Sequence, residues 1–209
     1  MDGGLSTKEG FTMKQVVFLN AAVFAMSAIS LAAWAQAPAT PSPQVMPEAV
    51  ARATLKDADK LPIGSLEIFE GKKGLLIRLD AAGLKQGWHG FHFHQKGTCD
   101  DSGFKGSGDH MAHGGSPHGI LSSGPHIGDL PNIYASADGI AKVDIIAPGL
   151  TLKGSDGLLD KDGTAIIIHA NADDYQSQPS GAAGDRIACG VIEAASASNS
   201  PPLSTDHNH

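Results

Sequence analysis

The stretch that most constrains this chain is Gly90-Phe91-His92-Phe93-His94. Side chains alternate sides along an extended strand, so His92 and His94 share one face while Phe91 and Phe93 share the other. Two phenyl rings give such a strand a core to rest on, and that footing holds the two imidazoles in place. Two fixed imidazoles on one face are half of a metal site.

The pattern around this stretch is that of short strands. Ala49 to Leu55 alternates, and Ser65–Glu70 and Leu75–Leu79 flank Gly71-Lys72-Lys73-Gly74 as a hairpin. Ile133–Ala137 and Ile140–Ala147 flank Asp138-Gly139, a turn signal that predicts a second hairpin. Thr164 to His169 is an almost unbroken apolar strand that ends in a histidine, and Arg186 to Ile192 supplies the last strand. Helical periodicity is absent throughout, so an all-β sandwich or closed barrel follows. Between Asp100 and Asn132 no period is sustained and glycine is dense, so this long loop needs something other than a hydrophobic face to order it.

The 209 residues contain no internal repeat, and one domain spanning 49–193 is expected. The uncharged run Val16–Trp34 follows Lys14 and ends in Ala33-Trp34-Ala35, a small-x-small cleavage pattern. Residues 1–35 therefore read as a cleaved signal peptide with Met13 as the natural start, and 36–48 as a Pro/Ala-rich linker. After cleavage no stable membrane insertion is expected. The net charge of −7 gives no reason to expect nucleic acid as a partner. Cys99 and Cys189 are the only cysteines, and an even count in an exported chain argues for one disulfide. Past Glu193 the chain is Ala, Ser, Asn and Pro, a frayed tail at 194–209 in which His207 and His209 carry no assigned role.

Eight of the ten histidines lie between His89 and His169. His110, His118 and His126 are evenly spaced, and Asp129 follows three residues later. Three imidazoles and one carboxylate make a tetrahedral zinc set, and a chelated ion could order the long loop. His92, His94 and His169, on two strands, offer nitrogen alone, which suits copper, an ion that can change oxidation state. His89 has the opposite strand parity to His92 and reads as a hydrogen-bonded structural histidine.

Four ordered segments carry a family resemblance. Gly90–His94, the loop from His110 through His126-Ile127-Gly128-Asp129-Leu130-Pro131-Asn132, Ile168–Tyr175, and Gly184–Gly190 together resemble the copper/zinc superoxide dismutases in their exported bacterial form. The resemblance implies a flattened eight-stranded Greek-key barrel with one copper and one zinc ion per subunit. It makes His92, His94, His110 and His169 the copper ligands, and His110, His118, His126 and Asp129 the zinc ligands, so that His110 bridges. It also implies that Asp173 accepts hydrogen bonds from His92 and His118, that Arg186 is the catalytic guanidinium beside copper, and that Cys99 pairs with Cys189. The implied activity is dismutation of superoxide to dioxygen and hydrogen peroxide, in the periplasm or outside the cell, by a monomer or a homodimer. A copper-storage or other non-catalytic metal-binding protein on the same fold is the rival, and it would need neither Asp173 nor Arg186. The departures from the family pattern are Asp109 for a usual glycine, Met111-Ala112-His113 after His110, and a short His118–His126 segment. His113 is not expected to displace a zinc ligand, because four are already present.

Overall fold

The computed structural model describes residues 47–112 and 114–196. The expected signal peptide, the start at Met13, most of the linker, His113, and the tail histidines His207 and His209 lie outside the described residues. Among those described, no helix is long and apolar enough to cross a membrane.

Ten strands form among the described residues, β1 (Ala51–Asp57), β2 (Pro62–Gly71), β3 (Gly74–Ala81), β4 (Gly87–His89), β5 (Phe91–His94), β6 (Ile133–Ala135), β7 (Ala141–Pro148), β8 (Ala165–His169), β9 (Arg186–Val191) and β10 (Glu193–Ala194). The only helical element among the described residues is a 3-10 segment, Ser102–Ser107. Pairing is antiparallel throughout, in the order β5-β8-β9-β1-β2-β3-β7, with β10 beside β1 and a separate pair β4-β6. β4 and β5 are two halves of one strand interrupted at Gly90. Counted that way, and with β10 set aside as a two-residue stub, eight strands curl around one core in Greek-key order.

Alternation decides the simple half of this sheet. On β1, Ala51, Ala53 and Leu55 are buried while Arg52, Thr54 and Lys56 are exposed. The β2–β3 hairpin forms as expected, in unbroken register from Gly64↔Ala81 to Gly71↔Gly74. Gly74 has φ +149°, and a Cβ there would stand 2.4 Å from the Ala147 carbonyl oxygen, so only glycine lets β3 lie this close to β7.

The second expected hairpin does not form as a strand pair. Asp138-Gly139 does turn the chain, closed by bonds from Gly139 N–H to Ser136 O and Ser136 N–H to Ile140 O. Its flanking strands then part, β6 to pair with β4 and β7 with β3. A two-residue signal dictates the local reversal, whereas partner choice follows the free strand edges that the rest of the fold supplies.

β5 and β8 are buried along their whole length. Phe91, Phe93, Ile166 and Ile168 enter the main core, while Ala165, Ile167 and Cys189 form a smaller cluster with Phe104 on the other side. The long loop is therefore better anchored than its glycine content suggests. Phe104, Met111 and Leu130 are buried, and the Cys99–Cys189 disulfide ties the loop's start to β9. Its backbone also caps the open edge of β5, with Met111 N–H donating to Phe93 O at 2.8 Å and Phe93 N–H to Gly128 O at 2.9 Å. The expectation that something other than hydrophobic contact must order this loop is thus corrected, since Phe104, Met111 and Leu130 anchor it in apolar surroundings.

Candidate metal centre

Strand parity puts His92, His94 and His169 on the face of β5 and β8 that points away from the main core. Pairing of β5 with β8 brings the two strands' histidines together, and the loop lays His110 beside them through a bridge to His94. His92, His94, His110 and His169 present ligand atoms within 4.8 Å of one another, and so do His110, His118, His126 and Asp129. His110 belongs to both groups.

Each ring in the first group has one nitrogen occupied and one left over. His94 Nδ1–H donates to Gly108 O at 2.9 Å, His169 Nδ1–H to Gly184 O at 3.2 Å, and His92 Nε2–H to Asp173 Oδ2 at 2.9 Å. His110 Nδ1 faces Asp129 Oδ1 at 2.8 Å. The opposite nitrogens, His92 Nδ1 and the Nε2 atoms of His94, His110 and His169, are buried with no hydrogen-bond partner. A buried polar atom without a partner costs about 1 to 3 kcal/mol. Four such lone pairs converging on one point fit a cation.

Asp173 also accepts from His118 Nε2–H at 3.0 Å, which leaves His118 Nδ1 buried, 2.9 Å from Asp129 Oδ2 but without hydrogen-bond geometry. One carboxylate thus sets the tautomer of a histidine in each group. Asp173 is itself held in place. Asn132 exchanges two 2.8 Å bonds with its backbone, Tyr175 N–H donates to Oδ1 at 2.6 Å, and the Tyr175 hydroxyl accepts from Asn132 N–H at 2.7 Å. Gly181 has φ +67°, and a Cβ there would fall 1.8 Å from Asp173 Oδ1. Sequence reading passed over Asn132, Tyr175 and Gly181. Asn132 and Tyr175 stand inside the segments that carry the family resemblance, but nothing in the sequence marks Gly181 off from the other glycines.

Burial controls the charge of these groups. It pushes His94 down to about 2, with help from His110 and against the Gly108 carbonyl, and it lowers His169 to about 3 and His110 to about 4. These three imidazoles are neutral near pH 7, the form that binds a metal. Burial alone would raise Asp173, but donation from His92, His118 and Tyr175 outweighs it and holds the carboxyl at about 2. Asp129 is likewise held well below the usual carboxylate range, by His110 and the Gly119 and His126 N–H groups acting against burial.

Arg186 opens β9 at the rim of a cleft that also contains His94, Asp109, His110 and His169. Its Nη1 donates to Phe104 O at 2.7 Å and Ser107 Oγ at 3.0 Å, and its Nη2 to Gly108 O at 2.8 Å. The Gly108 carbonyl therefore touches both Arg186 and His94. Half-burial lowers the guanidinium pKa, yet an arginine stays charged. His89 stands apart from both groups, buried with its ring nitrogens 2.7 Å from His169 O and 2.7 Å from Lys85 O. That is the structural role expected of it.

A family profile for copper/zinc superoxide dismutase matches residues 63–192. A superoxide dismutase [Cu-Zn] of Caulobacter vibrioides is 45% identical over 148 residues, 68% of this chain and 85% of that protein. One from Aquifex aeolicus is 42% identical over 146 residues, with the same two coverages of 68% and 85%. Among solved structures, a double mutant of a SOD-like protein from Bacillus subtilis superposes with a TM-score of 0.65 at 41% identity, covering 67% of this chain and 95% of that one. Cu/Zn superoxide dismutase from Brucella abortus gives 0.57 at 28% identity, covering 68% and 99%. Kinship and geometry converge, and the chain belongs to the copper/zinc superoxide dismutase family.

Proposed function

We propose that the protein is an exported enzyme that dismutes superoxide to dioxygen and hydrogen peroxide. The observation that carries this reading is the convergence of four partnerless buried imidazole nitrogens beside a second donor set that shares His110. Copper belongs with His92, His94, His110 and His169, and zinc with His110, His118, His126 and Asp129. When bound, copper supplies the one-electron redox chemistry and zinc, which has none, supplies charge and geometry.

The remaining work falls to the chain. His110 directs Nε2 to one group and Nδ1 to the other, so with a cation held in each group its second ring proton would be lost. Asp173 keeps the Nε2 protons of His92 and His118 in place and so turns their Nδ1 atoms inward. The Gly108 and Gly184 carbonyls do the converse for His94 and His169, turning Nε2 inward. Superoxide is an anion and the chain is net negative at −7, so a fixed positive charge at the cleft must draw it in. Arg186 has that position and is held by three acceptors. The apolar run before Gln36 and the Cys99–Cys189 disulfide support maturation near Gln36 and a periplasmic or secreted location. Both metal groups come from one chain, so each subunit is complete whether it is monomeric or paired as a homodimer.

The test combines metal content with superoxide dismutation on purified protein before and after Arg186→Glu. The substitution should leave both metals bound, slow dismutation by about 10-fold or more, and flatten or reverse its dependence on ionic strength. An unchanged rate and salt slope would remove Arg186 from the mechanism.

A further inference from the structure

Lys60 lies in the turn between β1 and β2, outside both metal groups, with φ +64°. Glycine or asparagine takes this left-handed conformation at less cost, so a lysine here needs a reason. Its backbone does nothing unusual, since Lys60 N–H donates to Asp57 O at 3.0 Å to close the turn. The side chain leaves the turn altogether. Nζ donates to Cys99 O at 2.6 Å and to Asp101 O at 3.2 Å, and it sits 4.5 Å from the centre of the Phe104 ring. All three contacts fall on the disulfide end of the long loop.

That piece of loop is also what holds Arg186. Phe104 O, Ser107 Oγ and Gly108 O are the guanidinium's three acceptors. Phe104 is fully buried and itself left-handed at φ +56°, so its carbonyl direction depends on its ring being held down. Asp101, whose carbonyl Lys60 binds, caps the 3-10 segment by accepting from Lys105 N–H at 2.7 Å and Gly106 N–H at 2.8 Å. A continuous run of contacts thus joins Lys60, through the Phe104 ring and the Asp101 cap, to Arg186.

We propose that Lys60 is a positioning residue that pins the 99–108 loop and thereby sets the reach of Arg186 and the cleft's affinity for anions. This rests on Arg186 being the anion guide. Lys60 touches neither metal group, so its removal should spare metal content.

The experiment titrates copper- and zinc-loaded protein with azide, a singly charged anion, followed in the visible spectrum of the copper. Wild type is compared with Lys60→Met, Lys60→Gly, Arg186→Gln and Lys60→Met/Arg186→Gln, at low ionic strength and at about 1 M salt, where the Debye length is ~3 Å. Glycine separates turn strain from side-chain contact, because it relieves the first while losing the second. Both Lys60 variants should weaken azide binding by ~3 to 10-fold at both salt levels, and the double variant should be no weaker than Arg186→Gln alone. Amide exchange across 99–108 should quicken in the same variants. Wild-type azide affinity in both Lys60 variants, with Arg186→Gln impaired, overturns the inference. So does an effect that vanishes at high salt, which would assign Lys60 a charge and not a position. If Arg186→Gln itself binds azide normally, it is the guiding role of Arg186 that falls, and the Lys60 role falls with it.

Discussion

Strands β1, β2, β3 and β7 bury one face and leave most of the other wet, whereas β5 and β8 are buried on both. In the first region an exposed position is most often polar, as with Asp80, whose carboxylate pairs with Lys142 at 2.7 Å near the surface. In the second, the loop that follows Cys99 covers the outer face, so the side chains there are interior ones. His92 and His94 are each 0% exposed on that face, with Phe91 and Phe93 at 0% on the other. The contrast teaches that a strand becomes a metal platform only when its second face is roofed. The roof covers both imidazoles, its burial keeps His94 neutral, and it supplies the Gly108 carbonyl that leaves His94 Nε2 free.

If the roof makes the difference, loosening it should have the largest effect. Cys99→Ser/Cys189→Ser opens a closure between residues 90 apart in sequence, and chain-entropy arguments put the loss at about 4 to 5 kcal/mol. Urea unfolding of metal-free protein checks this, and a loss under about 1 kcal/mol would erase the distinction between a stapled region and a self-sufficient one.

Next come two acid-to-amide changes, one in each region. Asp173→Asn should weaken the binding of both metals by about 10 to 100-fold, since one carboxylate serves His92 and His118. Asp80→Asn should leave metal binding alone and cost under about 1 kcal/mol, as surface ion pairs do. Competition against a chelator of known affinity reads both, and equal effects would refute the division.

The gentlest test is pH. His94, His169 and His110 fall from an ordinary 6.5 to about 2, 3 and 4 in the folded, metal-free chain. Below pH 6.5 the unfolded chain binds more protons than the folded one, so stability is fully present above that value and is lost as pH falls through about 4, 3 and 2 in turn. Three such groups amount to about 1 kcal/mol between pH 6.5 and 6.0, and to more below. Metal-free unfolding across this window should show the slope, and His94→Gln should reduce it by about a third. A flat profile would mean that the roof does not desolvate the site.

Legibility in the sequence divides along the same line. The β2–β3 hairpin could be read because alternation and a glycine-bounded turn act within a few residues. The pairing of β6 with β4 could not, because Asp138-Gly139 specifies a reversal and says nothing of which edges are open. The loop's own anchors, Phe104, Met111 and Leu130, escaped notice since isolated apolar residues among glycines have no period to detect. Asn132, Tyr175 and Gly181 act by holding Asp173, and a residue that serves a partner far along the chain leaves no local pattern.

By itself the sequence determined which residue types face which way along β5 and β8, and it contained two donor sets recognisable by spacing and motif. Side-chain direction is a local property of extended backbone, so a string of letters suffices for it. The resemblance already implied that His110 joins both sets and that Arg186 stands beside them; only the tertiary structure decided that four particular ring nitrogens are left without partners and which loop acceptors hold Arg186. Those facts depend on distances between segments remote in the chain and on which buried carbonyls are still free to accept, and both exist only once the chain has closed on itself.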